Sequence, residues 1–483
     1  MKKNNQGVLS NLSWKFAERI TAQLVTLAVS IILARILEPS HYGVIAIVMI
    51  FITLANVFVS DGFGSALIQK KDADALDYSS VLFFNTAFSV VLYFILFFTA
   101  PYISSFYGDG YEGLTLVLRV LSLRIIVSSI NSVQQAYVSK NMMFRKFFWS
   151  TLFGTLISAI VGIIMAYKGF GVWALVAQYL TNTTVDTIVL FLTLRKMPIL
   201  SFSFSRLKGM LKFGSQILGT SLLITGYQEI RAIIIGKIYS ASDLAFYDRG
   251  KQFPNLIVTN INSSIGAVLF PKMANEQDSL EKVKNTTRNS IRFSAYIMSP
   301  MMFGLAAIAE SFVKLILTDK WLPCVPFLQV FCIVFLFQPI HTANMQAIKA
   351  VGRGDVQLKL EIFKKSIELL SLIIVMRISV IAIVISMAVL TTFYTFVNAF
   401  PNKRILNYSF KEQLMDILPS LGMSLLMFIC VWALDLIPIE SVIVKLLLQV
   451  SVGAGIYLGL SVATKNQQFK HLLSLVRGKK TTL

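Results

Sequence analysis

Residues 79–103, SSVLFFNTAFSVVLYFILFFTAPYI, decide what kind of molecule this is. None of these side chains is charged. About twenty such residues in a helix rising 1.5 Å each reach across the roughly 30 Å of hydrocarbon in a bilayer. A helix also satisfies its own backbone hydrogen bonds, which lipid cannot do for it. Comparable apolar windows fall near 14–37, 43–60, 114–138, 148–167, 171–194, 211–238, 244–269, 289–316, 323–350, 358–376, 379–400, 413–436 and 441–463. The sequence therefore predicts an all-α integral membrane protein with about 14 transmembrane helices. Composition agrees, because 55% of the residues are hydrophobic and only 14% are charged, whereas soluble domains carry about 25% charge. Lys2 and Lys3 precede a long apolar stretch without a small-residue cleavage site, so the first helix is expected to be retained.

The 44 Lys and Arg against 24 Asp and Glu give a net charge of +20. These cations stand in short loops between apolar runs rather than on one amphipathic face, so they are topology signals and not a nucleic-acid footprint. One set of alternate loops collects Lys2, Lys3, Lys70, Lys71, Lys140, Arg145, Lys146, Arg195, Lys196, Arg206, Lys272, Lys282, Lys284, Arg288, Arg353, Lys403, Arg404 and several more. The other set has few, among them Lys168, Lys314, Lys320 and Arg377. An even helix count with both termini in the cytoplasm follows.

Residues 13–72 align without a gap onto 215–274, at an offset of about 202. Ser13 meets Ser215, Ile31 meets Ile233, Arg35 faces Lys237, Phe51 meets Phe253, Gly64 meets Gly266 and Lys70 meets Lys272. Six helices separate the copies, so both enter the membrane in the same direction. The expected organisation is two six-helix lobes in parallel repeat, 1–200 and 201–405, with a C-terminal helix pair and a cytoplasmic tail in 406–483.

Ionisable groups inside hydrocarbon are costly unless they meet water, a partner or a cargo. Glu18 and Arg19 lie in the first apolar segment, Asp61 closes the second, Arg119 and Arg124 lie in the fourth and Asp186 in the sixth. Glu229 and Arg231 lie in the seventh, and Asp248, Arg249 and Lys251 early in the eighth, where the first repeat has Ala46, Ile47 and Met49. Guanidinium forks match phosphate oxygens, so Arg19, Arg124, Arg231, Arg249 and Lys251 are candidate ligands for a phosphate or acidic sugar. Asp61, Asp186, Glu229 and Asp248 are candidates for coupling to H+ or Na+. The competing roles are interfacial anchoring for Glu18, Arg19, Arg119 and Arg249, and structural pairing of Arg124 and Arg231 with Asp61, Asp186 or Glu229.

No phosphate-binding Walker sequence, His-Glu-x-x-His helix or Cys-x-x-Cys pair occurs, and His41, His341 and His471 are far apart. Cys324, Cys332 and Cys430 sit in or beside apolar segments, where a thiol behaves as a small hydrophobe. Gly352-Arg353-Gly354-Asp355 falls between two apolar segments as a turn, and Asp109 and Glu112 share a loop too short for a catalytic domain. No catalytic residue, metal site or cofactor is expected.

Several ordered pieces nevertheless carry a family likeness: Leu33–Gly43 (LARILEPSHYG), Asp61–Asp72 (DGFGSALIQKKD), Gly171–Val176, Ile235–Lys237, Val268–Pro271 and Gln346–Arg353. In order and spacing they resemble the polysaccharide exporters of the multidrug/oligosaccharidyl-lipid/polysaccharide flippase superfamily, in the lipopolysaccharide, colanic-acid and teichuronic-acid branch. That resemblance implies a cavity opening alternately to each face and a cargo of undecaprenyl-pyrophosphate-linked oligosaccharide. It also implies a bacterial inner membrane and work alongside glycosyltransferases and a polysaccharide polymerase. In related lipid flippases cavity arginines hold the pyrophosphate, and Asp248-Arg249 looks like one such element. Two other functions compete: a cation-coupled multidrug exporter, whose cavity would be acidic, and a membrane glycan polymerase, which needs a larger outer loop with acids or an Arg/His set.

Overall fold

The computed structural model describes residues 2–60, 62–108, 110–111, 113–194 and 201–476; within these, the side chains of 2–13, 15–17, 19, 212–213, 264, 267 and 475–476 stand outside the description. No strand occurs among the described residues. The chain forms two compact units, Met1–Ala245 and Phe246–Leu483.

The first unit contains α1 (Lys2–Ile36), α2 (Pro39–Ser60), α3 (Gly62–Gln69), α4 (Ala75–Tyr107), α5 (Leu114–Leu121), α6 (Leu123–Lys140), α7 (Phe144–Tyr167), α8 (Val172–Leu194) and α9 (Phe204–Ile238). Helix α10 (Ala241–Asn275) starts at its end and continues into the second unit. The second unit then holds α11 (Leu280–Ala307), α12 (Ala309–Leu317), α13 (Val325–Leu336), α14 (Gln338–Ala350), α15 (Gly354–Val375), α16 (Val380–Leu406), α17 (Phe410–Ala433), α18 (Val442–Ala463) and α19 (Gln467–Val476).

Every apolar window coincides with one of these helices or with a broken pair of them. Among the described residues ten helices, counting α2–α3, α5–α6 and α13–α14 as continuous, are long and apolar enough to cross a membrane, and α11–α12, bent by 69° at the Ala307–Ala309 break, makes an eleventh. Three long helices fall outside that set. In α1 the apolar stretch found among the described residues, Ile20–Ile36, is shorter than a full span; α9 carries Glu229 and Arg231, and α15 carries Lys359, Glu361, Lys364, Lys365 and Glu368.

Lipid gives helices no hydrophobic reason to associate, so contact depends on small residues that let backbones approach. The buried side of α7 consists of Ser150, Gly154, Thr155, Ser158, Ala159, Gly162 and Ala166, the surface along which α8 lies. A methyl on Gly154 would sit 3.1 Å from the Asn182 carbonyl, and one on Gly162 would sit 3.1 Å from Gln178 Cβ. The glycines of the ordered motifs do the same at the other side of this unit. Gly43 leaves no room for a Cβ against the Ala241 carbonyl, and a methyl on Gly236 would meet Ile47 Cδ1 at 3.0 Å. Tyr111, in the loop after α4, donates a 2.7 Å hydrogen bond to the Gly236 carbonyl, and burial raises the pKa of its hydroxyl.

Helix ends are set by local chemistry. Asp74 caps α4 in a reciprocal capping box with Asp77, and Ser409 caps α17 with Glu412. Lys70 pairs with Asp77 at 2.6 Å, and Arg206 reaches Asp74 at 3.2 Å, tying the start of α9 to that cap. In the second unit α17 packs along α11, α13 against α16, and α18 against α17.

Candidate functional site

Helix α6 carries a run of polar side chains inside an otherwise apolar span. Its sequence after Arg124 includes Ser128, Ser129, Asn131, Ser132, Gln134 and Gln135, of which Asn131 reaches α8 while Ser129 bonds to Thr86 of α4 and Ser132 to the Val59 carbonyl of α2. Arg124 stands ten residues into the Leu114–Lys140 span, about 15 Å along its axis. Its Nε donates to Thr183 Oγ1 at 2.7 Å, Nη1 lies 3.7 Å from Met49 Sδ, and the guanidinium is 5.4 Å from the Tyr179 ring centroid. No acid lies within ion-pair distance of it among the described residues. The side chain is half-buried, so part of the fork stays open while the cation has only dipoles and a ring face to balance it.

One turn further along α8 from Thr183 is Asp186. Its Oδ2 accepts a 3.0 Å bond from Asn131 Nδ2, and Gln135 Nε2 donates in turn to Asn131 Oδ1 at 2.5 Å. Oδ1 of Asp186 is buried without a hydrogen bond of good geometry, although the Ser150 hydroxyl and the Gln135 amide stand close to the carboxylate, and both side-chain polar atoms of Gln134 are likewise buried without a partner. A buried carboxylate oxygen without a well-aligned donor is costly unless a proton or cation satisfies it. Gly154 makes this geometry possible, since a methyl there would meet Asp186 Cβ at 3.3 Å.

The other sequence candidates have different surroundings. Arg231 is half-buried on α9 with its guanidinium 5.6 Å from the Tyr227 ring, and both it and Glu229 interact with further neighbours. Arg119 sits 4.2 Å from the Phe97 ring and donates to the Phe97 carbonyl at 3.1 Å, in keeping with an anchoring role. In the second unit Arg249 is 6% exposed, 5.1 Å from the Trp321 ring, with Nη1 on Gln252 Oε1 at 2.6 Å. Asp248 is exposed, and Lys251 is half-buried with no ion pair among the described residues. Asp61 and the side chain of Arg19 lie outside the described residues. Within the first unit, then, Arg124 and Asp186 share the α6–α8 interface while Arg231 and Glu229 belong to α9.

Two groups escaped a search for isolated charges. Thr183, Tyr179, Asn131 and Gln135 are uncharged, although the polar run Ser128–Gln135 inside an apolar window signals them. Arg292 and Asp416 are the other pair. They form a cluster with Arg288, which the sequence assigns to a loop and the structure places inside α11.

A family model described as "Polysaccharide biosynthesis protein" matches residues 32–326. The teichuronic acid biosynthesis protein TuaB of Bacillus subtilis (strain 168) is 25% identical over 303 residues, which is 62% of either chain. The succinoglycan biosynthesis transport protein ExoT of Rhizobium meliloti (strain 1021) is 24% identical over 354 residues, 73% of this chain and 71% of its own. Among solved structures, the lipid II flippase MurJ in an inward closed conformation superposes with a TM-score of 0.74 at 15% identity, covering 94% of this chain and 99% of that one. At that identity the likeness is one of fold.

Proposed function

This chain belongs to the polysaccharide biosynthesis protein family, and we propose that it is a flippase moving undecaprenyl-pyrophosphate-linked oligosaccharide or polysaccharide precursors across the bacterial cytoplasmic membrane for cell-surface polysaccharide biosynthesis. The observation that carries this reading is Arg124. An arginine inside a membrane span with no acidic partner is unfavourable by several kcal/mol in an empty, dry site. A pyrophosphate would supply the missing anion and accept from the open guanidinium donors.

Support also comes from what the relatives are named for, teichuronic acid in one case and succinoglycan transport in the other, and from the fold shared with a lipid II flippase. In this reading α1, α9 and α15 also cross the bilayer, which brings the eleven apolar spans to fourteen and leaves both termini in the cytoplasm. Residues 1–200 and 201–405 act as two lobes that rock about the cargo, with 406–483 appended. The glycan and pyrophosphate traverse the cavity while the polyprenyl tail stays in lipid, and glycosyltransferases and a polymerase act before and after. The chain moves its cargo without chemically changing it. Asp186 is the favoured coupling group, because its Oδ1, which lacks a well-aligned donor, is suited to H+ or Na+. Glu229 is engaged with neighbours and Asp248 is exposed.

A multidrug exporter of the same superfamily would need acids facing a cationic cargo, and the bare cation at Arg124 disfavours it. Complementation tests the proposal in a host lacking the gene. Wild-type chain restores surface polysaccharide and Arg124→Gln fails to, at equal membrane abundance; full restoration by Arg124→Gln removes Arg124 as the cargo ligand.

A further inference from the structure

Lys284, Arg288 and Arg292 follow one another at four-residue spacing, so they share one face of α11. That face meets Glu412 and Asp416, also four apart, on α17. Lys284 Nζ is 3.1 Å from Glu412 Oε1. Asp416, whose side chain is only 2% exposed, receives both arginines. Arg288 donates through Nε to Oδ2 at 2.7 Å and through Nη2 to Oδ1 at 2.9 Å, and Arg292 Nε donates to Oδ1 at 2.8 Å, with its Nη2 on the same oxygen. Tyr408 OH adds a fifth bond, 2.8 Å to Oδ2.

One carboxylate accepts about four such bonds, so Asp416 is saturated. Each guanidinium has five N–H groups and spends two here, which leaves three on each arginine. Those donors have no other acceptor among the described residues, and the two side chains are 34% and 30% exposed. Three cations face two acids, so the ladder retains one positive charge. Asp416 thus acts as a template holding two guanidinium forks side by side with their outer edges open.

Location selects the anion. Helix α11 has 28 residues, about 42 Å, and overshoots the roughly 30 Å hydrocarbon layer. Lys284 and Arg288 lie about 6 and 12 Å from the helix start, within that overshoot, and Arg292 at about 18 Å stands one turn deeper, where the uncharged run 293–307 begins. On α17, Leu414, Met415 and Leu418, next to Asp416 in sequence, are 38%, 63% and 56% exposed. A soluble phosphate has no use for these apolar neighbours, whereas acyl chains do. We infer that Arg288 and Arg292, templated by Asp416, bind the headgroup phosphate of an anionic phospholipid of the cytoplasmic leaflet, clamping α17 to α11. This rests on the reading that both termini are cytoplasmic.

The test is native mass spectrometry of the purified full chain with phosphatidylglycerol or phosphatidylcholine. The wild type is expected to retain phosphatidylglycerol about fivefold better, and Arg292→Gln to lose that preference. Arg292→Lys keeps the charge on Asp416 but loses the fork, so a variant that folds even if Arg292→Gln does not is expected to lose about threefold. Equal retention of the two lipids, or an Arg292→Lys protein matching wild type, overturns the proposal. Displacement of the lipid by about 10 mM inorganic phosphate also overturns it, in favour of a soluble ligand. Orientation is read separately by maleimide labelling of Ser279→Cys in inside-out vesicles. Labelling from the opposite face alone overturns the cytoplasmic-leaflet assignment and leaves the transport reading to its own assay.

Discussion

Arg124 Nε donates a 2.7 Å hydrogen bond to Thr183 Oγ1, and no carboxylate lies within ion-pair distance of that guanidinium among the described residues. Helix α6 supplies the cation and α8 the hydroxyl that orients it. If the fork grips a phosphate, Arg124→Gln lowers transport at least about tenfold and Arg124→Lys less, because an ammonium keeps the charge but not the bidentate geometry. Thr183→Val, which frees the guanidinium to swing, falls between wild type and Arg124→Gln. Initial flipping rates at matched protein levels check the order.

Asp186 accepts from Asn131 through one oxygen and leaves the other without a well-aligned donor. Asp186→Asn is expected to keep the fold, since the amide replaces a carboxylate of the same shape, and to abolish the response of transport to an imposed H+ or Na+ gradient. Transport by Asp186→Asn that still follows the gradient assigns coupling elsewhere.

Gly43 has no space for a side chain against the Ala241 carbonyl. Gly43→Ala forces the start of α2 away from the start of α10, at an expected cost of about 1–3 kcal/mol. Gly64→Ala, where a Cβ meets nothing within 4 Å, is the matched control and is expected to leave the thermal midpoint in detergent near wild type.

The Asp74 cap carries a pH signature. The backbone N–H of Asp77, ahead of the Arg206 charge, holds the Asp74 carboxyl below its ordinary value of 3.8. A carboxyl depressed in the folded state stabilises it above the unfolded pKa and loses that contribution as pH falls through the lower folded value. Asp74→Ala is therefore expected to melt lower than wild type at pH 7 by the equivalent of about 1 kcal/mol. That gap should close below about pH 4. A gap unchanged down to pH 3 removes the electrostatic part of the argument.

Much of this was legible in the sequence, for reasons tied to particular residues. Uncharged windows such as 79–103 can only be long helices in lipid, so helix positions followed from hydropathy. The breaks at Ser122 and Ile308 did not, because neither carries a proline or glycine and both depend on packing. The motif glycines Gly43 and Gly236 were visible as family markers, yet their role as contact points between helices needed coordinates. The place of Arg124 inside an apolar window was legible, whereas the burial of Arg249 against Trp321 was not, because it joins residues 72 positions apart. The polar run Ser128–Gln135 was in plain view. Its relation to Asp186 needed the pairing of α6 with α8.

The central claim is that this chain carries a lipid-linked, pyrophosphate-headed glycan across a bilayer with Arg124 on the phosphate. The direct measurement is reconstitution into vesicles with a fluorescent undecaprenyl-pyrophosphate oligosaccharide, reading how much headgroup becomes accessible to a membrane-impermeant quencher or glycosidase on the far side. The account predicts time-dependent exposure with wild-type protein under an ion gradient and at least about a tenfold slower rate with Arg124→Gln. No exposure above protein-free vesicles under any H+ or Na+ gradient would contradict it.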